Sequence, residues 1–197
     1  MSQKETALSL LNDGNGYLVT EKAVSYGVNP VTLKRMEETG VIERVARGLY
    51  VGANTIPDPF FIAQYRCPKG VFSHETALFF NGFSDRTPFQ LMMTIPSGWN
   101  TRLISSDDVL VFYCKPDFIN IGVCEMVTSY GHKVNVYNIE RTLCDCFRSI
   151  NKLDKDLVLT SLKRYMKDPV SNKTLLLEYA STFKIRDAVV RYMEVLS

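Results

Sequence analysis

Apolar positions recur with a helical period at the start of the chain. Ala7, Leu8, Leu10 and Leu11 give residues 2–12 one hydrophobic face, and Asp13-Gly14-Asn15-Gly16 is a turn cluster that ends it. Residues 17–51, YLVTEKAVSYGVNPVTLKRMEETGVIERVARGLYV, then change period twice. Thr20 is the expected N-cap of a short helix reaching Ser25 or Tyr26, with Glu21 in its first turn and Gly27 just past its end. Asn29-Pro30 opens a second helix, because Asn suits the N-cap and the missing N–H of Pro costs nothing at the first helical position. That helix stops at Gly40. Val41–Val45 and Leu49–Val51 are β-prone runs joined through Ala46-Arg47-Gly48.

Helix, tight turn, helix and hairpin, in that order, predict a winged helix-turn-helix, and such a module makes double-stranded DNA the leading partner expectation. Leu33 and Met36 are spaced to face a core, which leaves Thr32, Lys34 and Arg35 to project elsewhere. Short polar side chains and cations near the N-terminal half of such a helix reach base edges in a major groove. Arg44 and Arg47 flank the hairpin turn, where guanidinium groups pair well with phosphates. Lys22 is a further candidate for a backbone contact. Taken singly, each cation is as readily a solvated surface charge. Residues 1–55 carry six basic and six acidic side chains, so a binding face there needs local segregation of charge.

Beyond this module the pattern is different. Two prolines and a glycine across residues 52–59 predict a linker and a domain boundary. Phe60–Arg66 reads as a short helix, and Ser73 as the N-cap of another running to Phe80, stopped by Asn81-Gly82. Gln90–Ile95, Asp108–Tyr113, Asn120–Val127 and Lys133–Val136 are strand-like, and everything from Ile139 onward is helical. The fold class expected is α+β: an N-terminal winged helix-turn-helix domain at 1–54, then a mixed α/β C-terminal domain at 60–197 with a small sheet and C-terminal helices.

Composition bounds the rest. The chain has 197 residues, a formal net charge of +2 and a 46% hydrophobic share, which allows one or two domains with ordinary cores. No apolar run reaches the length of a membrane span, and the polar N-terminus does not read as a secretory leader. The five cysteines, odd in number and without a CxxC pair, argue for free thiols in a reducing, cytoplasmic setting. Cys144 and Cys146 lie two apart in a helical pattern, a poor spacing for shared metal ligation. His74-Glu75 begins an H-E-x-x-H pattern that fails at Leu78. No phosphate-binding loop, dinucleotide fingerprint or nucleophile elbow occurs, so no cofactor, metal or enzymatic activity is expected. Asp85 and Arg86 are an expected ion pair in the turn before Pro88, and Arg141 with Asp145 an i,i+4 pair on one helix. The stretch from Arg148 to Ser197 carries ten basic and six acidic residues, with Lys152, Lys155, Lys163, Arg164 and Lys167 gathered near one helix. Interleaved acids favour a solvated helix face over a second electrostatic surface for nucleic acid.

Two blocks carry a resemblance to a known family. SHETALFFNGFSDRTPFQLMMTIPSG at 73–98 and YNIERTLCDCFR at 137–148 resemble the AbiEi antitoxins, transcription-regulator partners in bacterial abortive-infection toxin–antitoxin operons. The resemblance implies a type IV antitoxin that represses its own operon by binding inverted repeats in promoter DNA. It also implies that the chain counteracts a nucleotidyltransferase-like toxin, and a role in phage resistance. Two alternatives of other classes stand beside it. One is a metal-dependent nuclease holding magnesium through Glu75, Asp85, Glu140 and Asp145, guided to DNA by the winged helix. The other is a module that docks directly on the toxin.

Overall fold

A computed structural model describes residues 2–99, 104 and 108–196. The chain divides into two compact units, Met1–Ile62 with Ser129–Gly131, and Ala63–Thr128 with His132–Ser197. Its architecture is mixed α and β, with two small sheets and a helical C-terminal part.

In the first unit, α1 (Gln3–Asp13) starts at a capping box in which Ser2 and Glu5 satisfy each other's backbone N–H groups. Then come β1 (Tyr17–Val19), α2 (Thr20–Ser25), α3 (Pro30–Glu38), β2 (Ile42–Ala46) and β3 (Leu49–Gly52). The three strands form an antiparallel sheet in the order β1-β3-β2. Leu10, Leu18, Ala23, Leu33, Met36 and Ile42 meet in one core, so each helix and the sheet give up an apolar face to it. Asn29 caps α3 as its sequence suggested, its Oδ1 accepting from Val31 N–H at 2.9 Å. Thr20 is different: it is the first residue of α2, and Val19 occupies the cap position without a side-chain bond. The reason is β1, which the sequence reading missed; the strand runs up to Val19, and the N–H of Thr20 bonds to Gly48 O at 2.8 Å instead.

The stretch expected as a linker is partly ordered by capping. Asp58 is fully buried, and its Oδ1 accepts from Phe60 and Phe61 N–H at 3.0 and 3.2 Å, starting α4 (Pro59–Arg66). The backbone N–H of Asp58 donates to the Tyr17 hydroxyl at 2.5 Å.

The second unit holds β4 (Val71–Phe72), α5 (His74–Phe80), β5 (Leu91–Pro96), β6 (Val109–Cys114), β7 (Val123–Val127) and β8 (Lys133–Tyr137). It ends in α6 (Ile139–Arg148), α7 (Lys155–Lys167), α8 (Lys173–Thr182) and α9 (Arg186–Leu196). Strand order is β6-β5-β4-β8-β7, with β5–β6 and β4–β8 parallel and the other pairs antiparallel. The central strand β4 has two residues, too few to leave a periodic signal. Strand β7 starts at Val123, later than expected, because residues 119–122 are in a turn in which Gly122 takes φ 77°. Helix α6 is buried from Glu140 through Phe147 on every side. Its Leu143, with Leu78, Leu162, Leu176 and Val189 from four other helices, makes the core of the helical layer. No helix among the described residues is long and apolar enough to cross a membrane.

Candidate nucleic-acid interface and a buried polar centre

Helix α3 of the first unit presents a divided surface. Leu33 and Met36 are buried, whereas Val31, Lys34, Arg35 and Glu38 share the exposed side at i, i+3, i+4 and i+7. Arg35, Arg47 and Lys22 are exposed, and their side chains have no ion-pair or hydrogen-bond partner among the described residues. Lys34 lies 3.8 Å from Glu38 with both side chains mostly in water, an arrangement worth little and easily exchanged for another anion. Thr32 is half-buried, and its hydroxyl donates to Gln3 Oε1 at 2.7 Å while Asn29 N–H donates to the same oxygen at 3.0 Å. That shared acceptor pins the start of α3 to the start of α1, so Thr32 holds the helix end as well as facing its N-terminal turn.

The hairpin is shaped for its tip. The β2–β3 register shifts between Arg44 and Ala46, a bulge that re-aims the side chains beside it. Gly48 turns the chain with φ 78°, a conformation that L side chains resist. Arg44 and Arg47 both reach solvent there, with Arg44 Nε steadied by Ala46 O at 3.4 Å. The structure therefore brings Thr32, Lys34 and Arg35 together on one helix, and Arg44 and Arg47 on one hairpin. Lys22 stands on α2.

Sequence reasoning missed the apolar side chains on this module's surface. Val24, Tyr26 and Val31 are 47%, 63% and 55% exposed. Val31 sits at the N-terminal turn of α3 on the same side as Arg35, where an apolar contact suits a thymine methyl group. The i, i+4 spacing from Val31 to Arg35 was the available signal.

In the second unit the chemistry is inward. The Arg141 guanidinium is completely buried. Its Nε donates to Asp145 Oδ2 at 2.9 Å, and its Nη1 to the carbonyls of Phe118 and Ile121 at 2.8 and 3.0 Å. The rings of Tyr137 and Phe183 lie 4.2 and 4.3 Å from its charge. Arg148 Nη1 reaches Asp145 Oδ1 at 3.3 Å. Gly122 is needed beside this cation: a Cβ there would meet Arg141 Cβ at 2.7 Å. The i,i+4 pair expected from sequence is thus present, as the centre of a loop-holding network.

His74 lies at the edge of this network, 2% exposed, with Nδ1 2.9 Å from Ser73 Oγ and Nε2 3.2 Å from Ser149 Oγ. Its ring stacks on Phe112. Ser73 Oγ, occupied by His74 and by the hydroxyl of Thr94, makes no helix cap, contrary to the sequence expectation. Burial first, then the nearby Arg141 and Arg148 charges, push the His74 imidazole from 6.5 down to about 3. Below pH 6.5 the unfolded chain takes up a proton that the folded state refuses. Stability from this group is therefore complete above that pH and falls as the medium acidifies. Unfolding free energies from urea titrations read by fluorescence at pH 7.5, 6.5 and 5.5 should drop with a slope approaching about 1.4 kcal/mol per pH unit toward the acid end. The slope should flatten in His74→Asn; equal slopes in the two proteins would exclude His74 as its source.

The acids suggested for magnesium are not gathered. Glu75 accepts from Asp154 N–H, Asp85 pairs with Arg164 at 3.2 Å, Glu140 accepts from the Tyr165 hydroxyl, and Asp145 holds two arginines. Among the described residues no three His, Cys, Asp or Glu side chains are grouped as metal ligands would be, and these four acids do not form the magnesium site suggested for them. The expected Asp85–Arg86 pair is also corrected: Arg86 pairs with Asp154 at 3.7 Å, leaving Asp85 to Arg164. All five cysteines are free thiols, and burial pushes Cys144 up to about 12. The basic residues of α7 are exposed between Asp154, Asp156 and Asp168, as on an ordinary solvated face.

Comparison with known proteins bears on the first unit most directly. Residues 5–51 match the family model described as "Transcriptional regulator, AbiEi antitoxin". The two blocks at 73–98 and 137–148 that suggested this family lie outside the matched segment. A crystal structure of the RV2827C protein from Mycobacterium tuberculosis is similar in fold, with a TM-score of 0.60 at 14% identity, covering 97% of this chain and 78% of that one. No curated protein matches the chain.

Proposed function

We propose that this chain, with an AbiEi-type regulator segment at residues 5–51, is an antitoxin that represses its own operon by binding promoter DNA. The segment around residues 1–54 acts as a winged helix-turn-helix. Its α3 enters the major groove with Arg35 and Lys34 toward base edges and Thr32 at the helix start, while Arg44 and Arg47 lie along phosphates as the wing. Lys22 adds a backbone contact from α2. The observation that supports this reading is the set of exposed cations on α3 and the hairpin within the family-matched segment, of which Arg35 and Arg47 have no side-chain partner among the described residues. The operator is an inverted repeat, read by two copies. The domain around residues 60–197 carries the antitoxin activity, which counteracts a nucleotidyltransferase-like toxin in a type IV, abortive-infection arrangement, in the cytoplasm of the host cell.

A reporter driven by the operon's own promoter tests the regulatory half in cells. Expression of the chain should lower the reporter at least tenfold, a change of about 1.4 kcal/mol in promoter occupancy. Arg35→Ala should restore most of the signal while rescue of toxin-expressing cells persists. Unchanged reporter output with the wild-type chain would refute autorepression. Copurification of untagged toxin with the chain would replace the type IV arrangement with direct docking.

A further inference from the structure

The second unit contains a groove that the DNA reading does not use. It has a volume of about 780 Å³ and is formed by Pro96–Trp99 after β5, the Lys69 loop before β4, Ile119 and Asn120 after the 3₁₀ turn, and Asn135 of β8. That volume is within the range of small-molecule sites. Its walls are held from behind. Gln64 Nε2 donates to Cys67 O and Gly70 O, both at 3.0 Å, and its Oε1 accepts from Asn135 N–H at 2.8 Å, tying the Lys69 loop to β8. The buried Tyr137 hydroxyl donates to Ile119 O at 2.9 Å, and Arg141 holds the carbonyls on either side. The groove is therefore preformed by buried groups.

Its chemistry is selective. Trp99 supplies an aromatic surface, with Lys69 Nζ 4.8 Å from its ring centroid. Among the described residues, Lys69 is the only charged one lining the groove. Asn120 and Asn135 also line it, and an amide side chain carries the paired donor and acceptor that match the edge of a heterocyclic base. An aromatic plane, a single cation and two amides at one cleft suit a heterocycle that bears an anionic group.

We propose that this groove is a binding site for a nucleoside monophosphate, with the base against Trp99 and toward the asparagines and the phosphate toward Lys69. The groove shares no residue with those assigned to DNA, and its occupancy does not depend on that assignment. Trp99 is the only tryptophan of the chain, so its fluorescence reports the site directly. Titration of the full chain with AMP, GMP, CMP or UMP should give saturable quenching by at least one of them, with a Kd below about 1 mM. For that nucleotide, Lys69→Gln should weaken binding about tenfold and leave binding of the corresponding nucleoside unchanged. Asn135→Ala should weaken both, and far-UV circular dichroism of each variant should match the wild type. Absence of saturable quenching by all four nucleotides would overturn the proposal. So would quenching insensitive to both substitutions, equal quenching by inorganic phosphate alone, or quenching by a proline-rich peptide in place of nucleotides.

Discussion

Asp145→Ala should lower the unfolding free energy of the second unit by about 3–5 kcal/mol. The substitution removes the partner that both Arg141 Nε and Arg148 Nη1 address, and it leaves a guanidinium with no exposure to water. Two carbonyls and two aromatic rings remain around Arg141, yet none carries a compensating negative charge. Arg141 Nη2 has no hydrogen-bond partner among the described residues, which leaves the site little spare capacity to absorb the loss. Urea unfolding followed by Trp99 fluorescence measures this unit in particular, since Trp99 lies within it. The double variant Arg141→Met/Asp145→Leu should recover much of the loss, because a buried ion pair exchanged for apolar groups of similar volume is often neutral. A midpoint for Asp145→Ala indistinguishable from the wild type would show that Arg141 finds its stabilisation elsewhere.

The second large effect concerns DNA. Arg35→Ala should cost about 1–3 kcal/mol against the preferred operator and relax the preference at one base position, as expected if the guanidinium is bidentate to a guanine. Arg47→Ala should act differently, weakening all duplexes alike and reducing the dependence of log K on log salt by about one unit. The contrast follows from where the two arginines sit. Arg35 lies in the last turn of a helix whose other face is locked into the core, while Arg47 is at a hairpin tip turned by Gly48. Identical effects of the two substitutions on sequence preference would contradict the division of roles.

Legibility in the sequence followed the strength of local signals. Asn29-Pro30 and Gly40 bounded α3 because capping chemistry is written in residue types, and the helices after Ile139 showed because their apolar periods are long. Strand β4 is set by its neighbours β5 and β8, so two residues carried no pattern of their own. Thr20 and Ser73 were misread as side-chain caps for a shared reason. A residue next to a strand has its backbone or hydroxyl engaged by the neighbouring strands and turns: Thr20 N–H by Gly48 at the hairpin, Ser73 Oγ by Thr94 of β5. The cations proposed for DNA were visible as residues, whereas the exposure of Val31 and Tyr26 beside them needed the fold. The Trp99 groove was invisible because its lining comes from four separate segments, none with a motif.

The assignment of α3 and the hairpin to DNA is tested most directly by titrating purified protein against a duplex of its own upstream promoter and a scrambled duplex. The titrations are run at about 50 and 200 mM salt, where counterion release separates backbone from base contacts. The proposed function predicts selective binding of the promoter at both salts, with selectivity lost in Arg35→Ala. Equal affinity for the two duplexes, falling in parallel with salt, would contradict it.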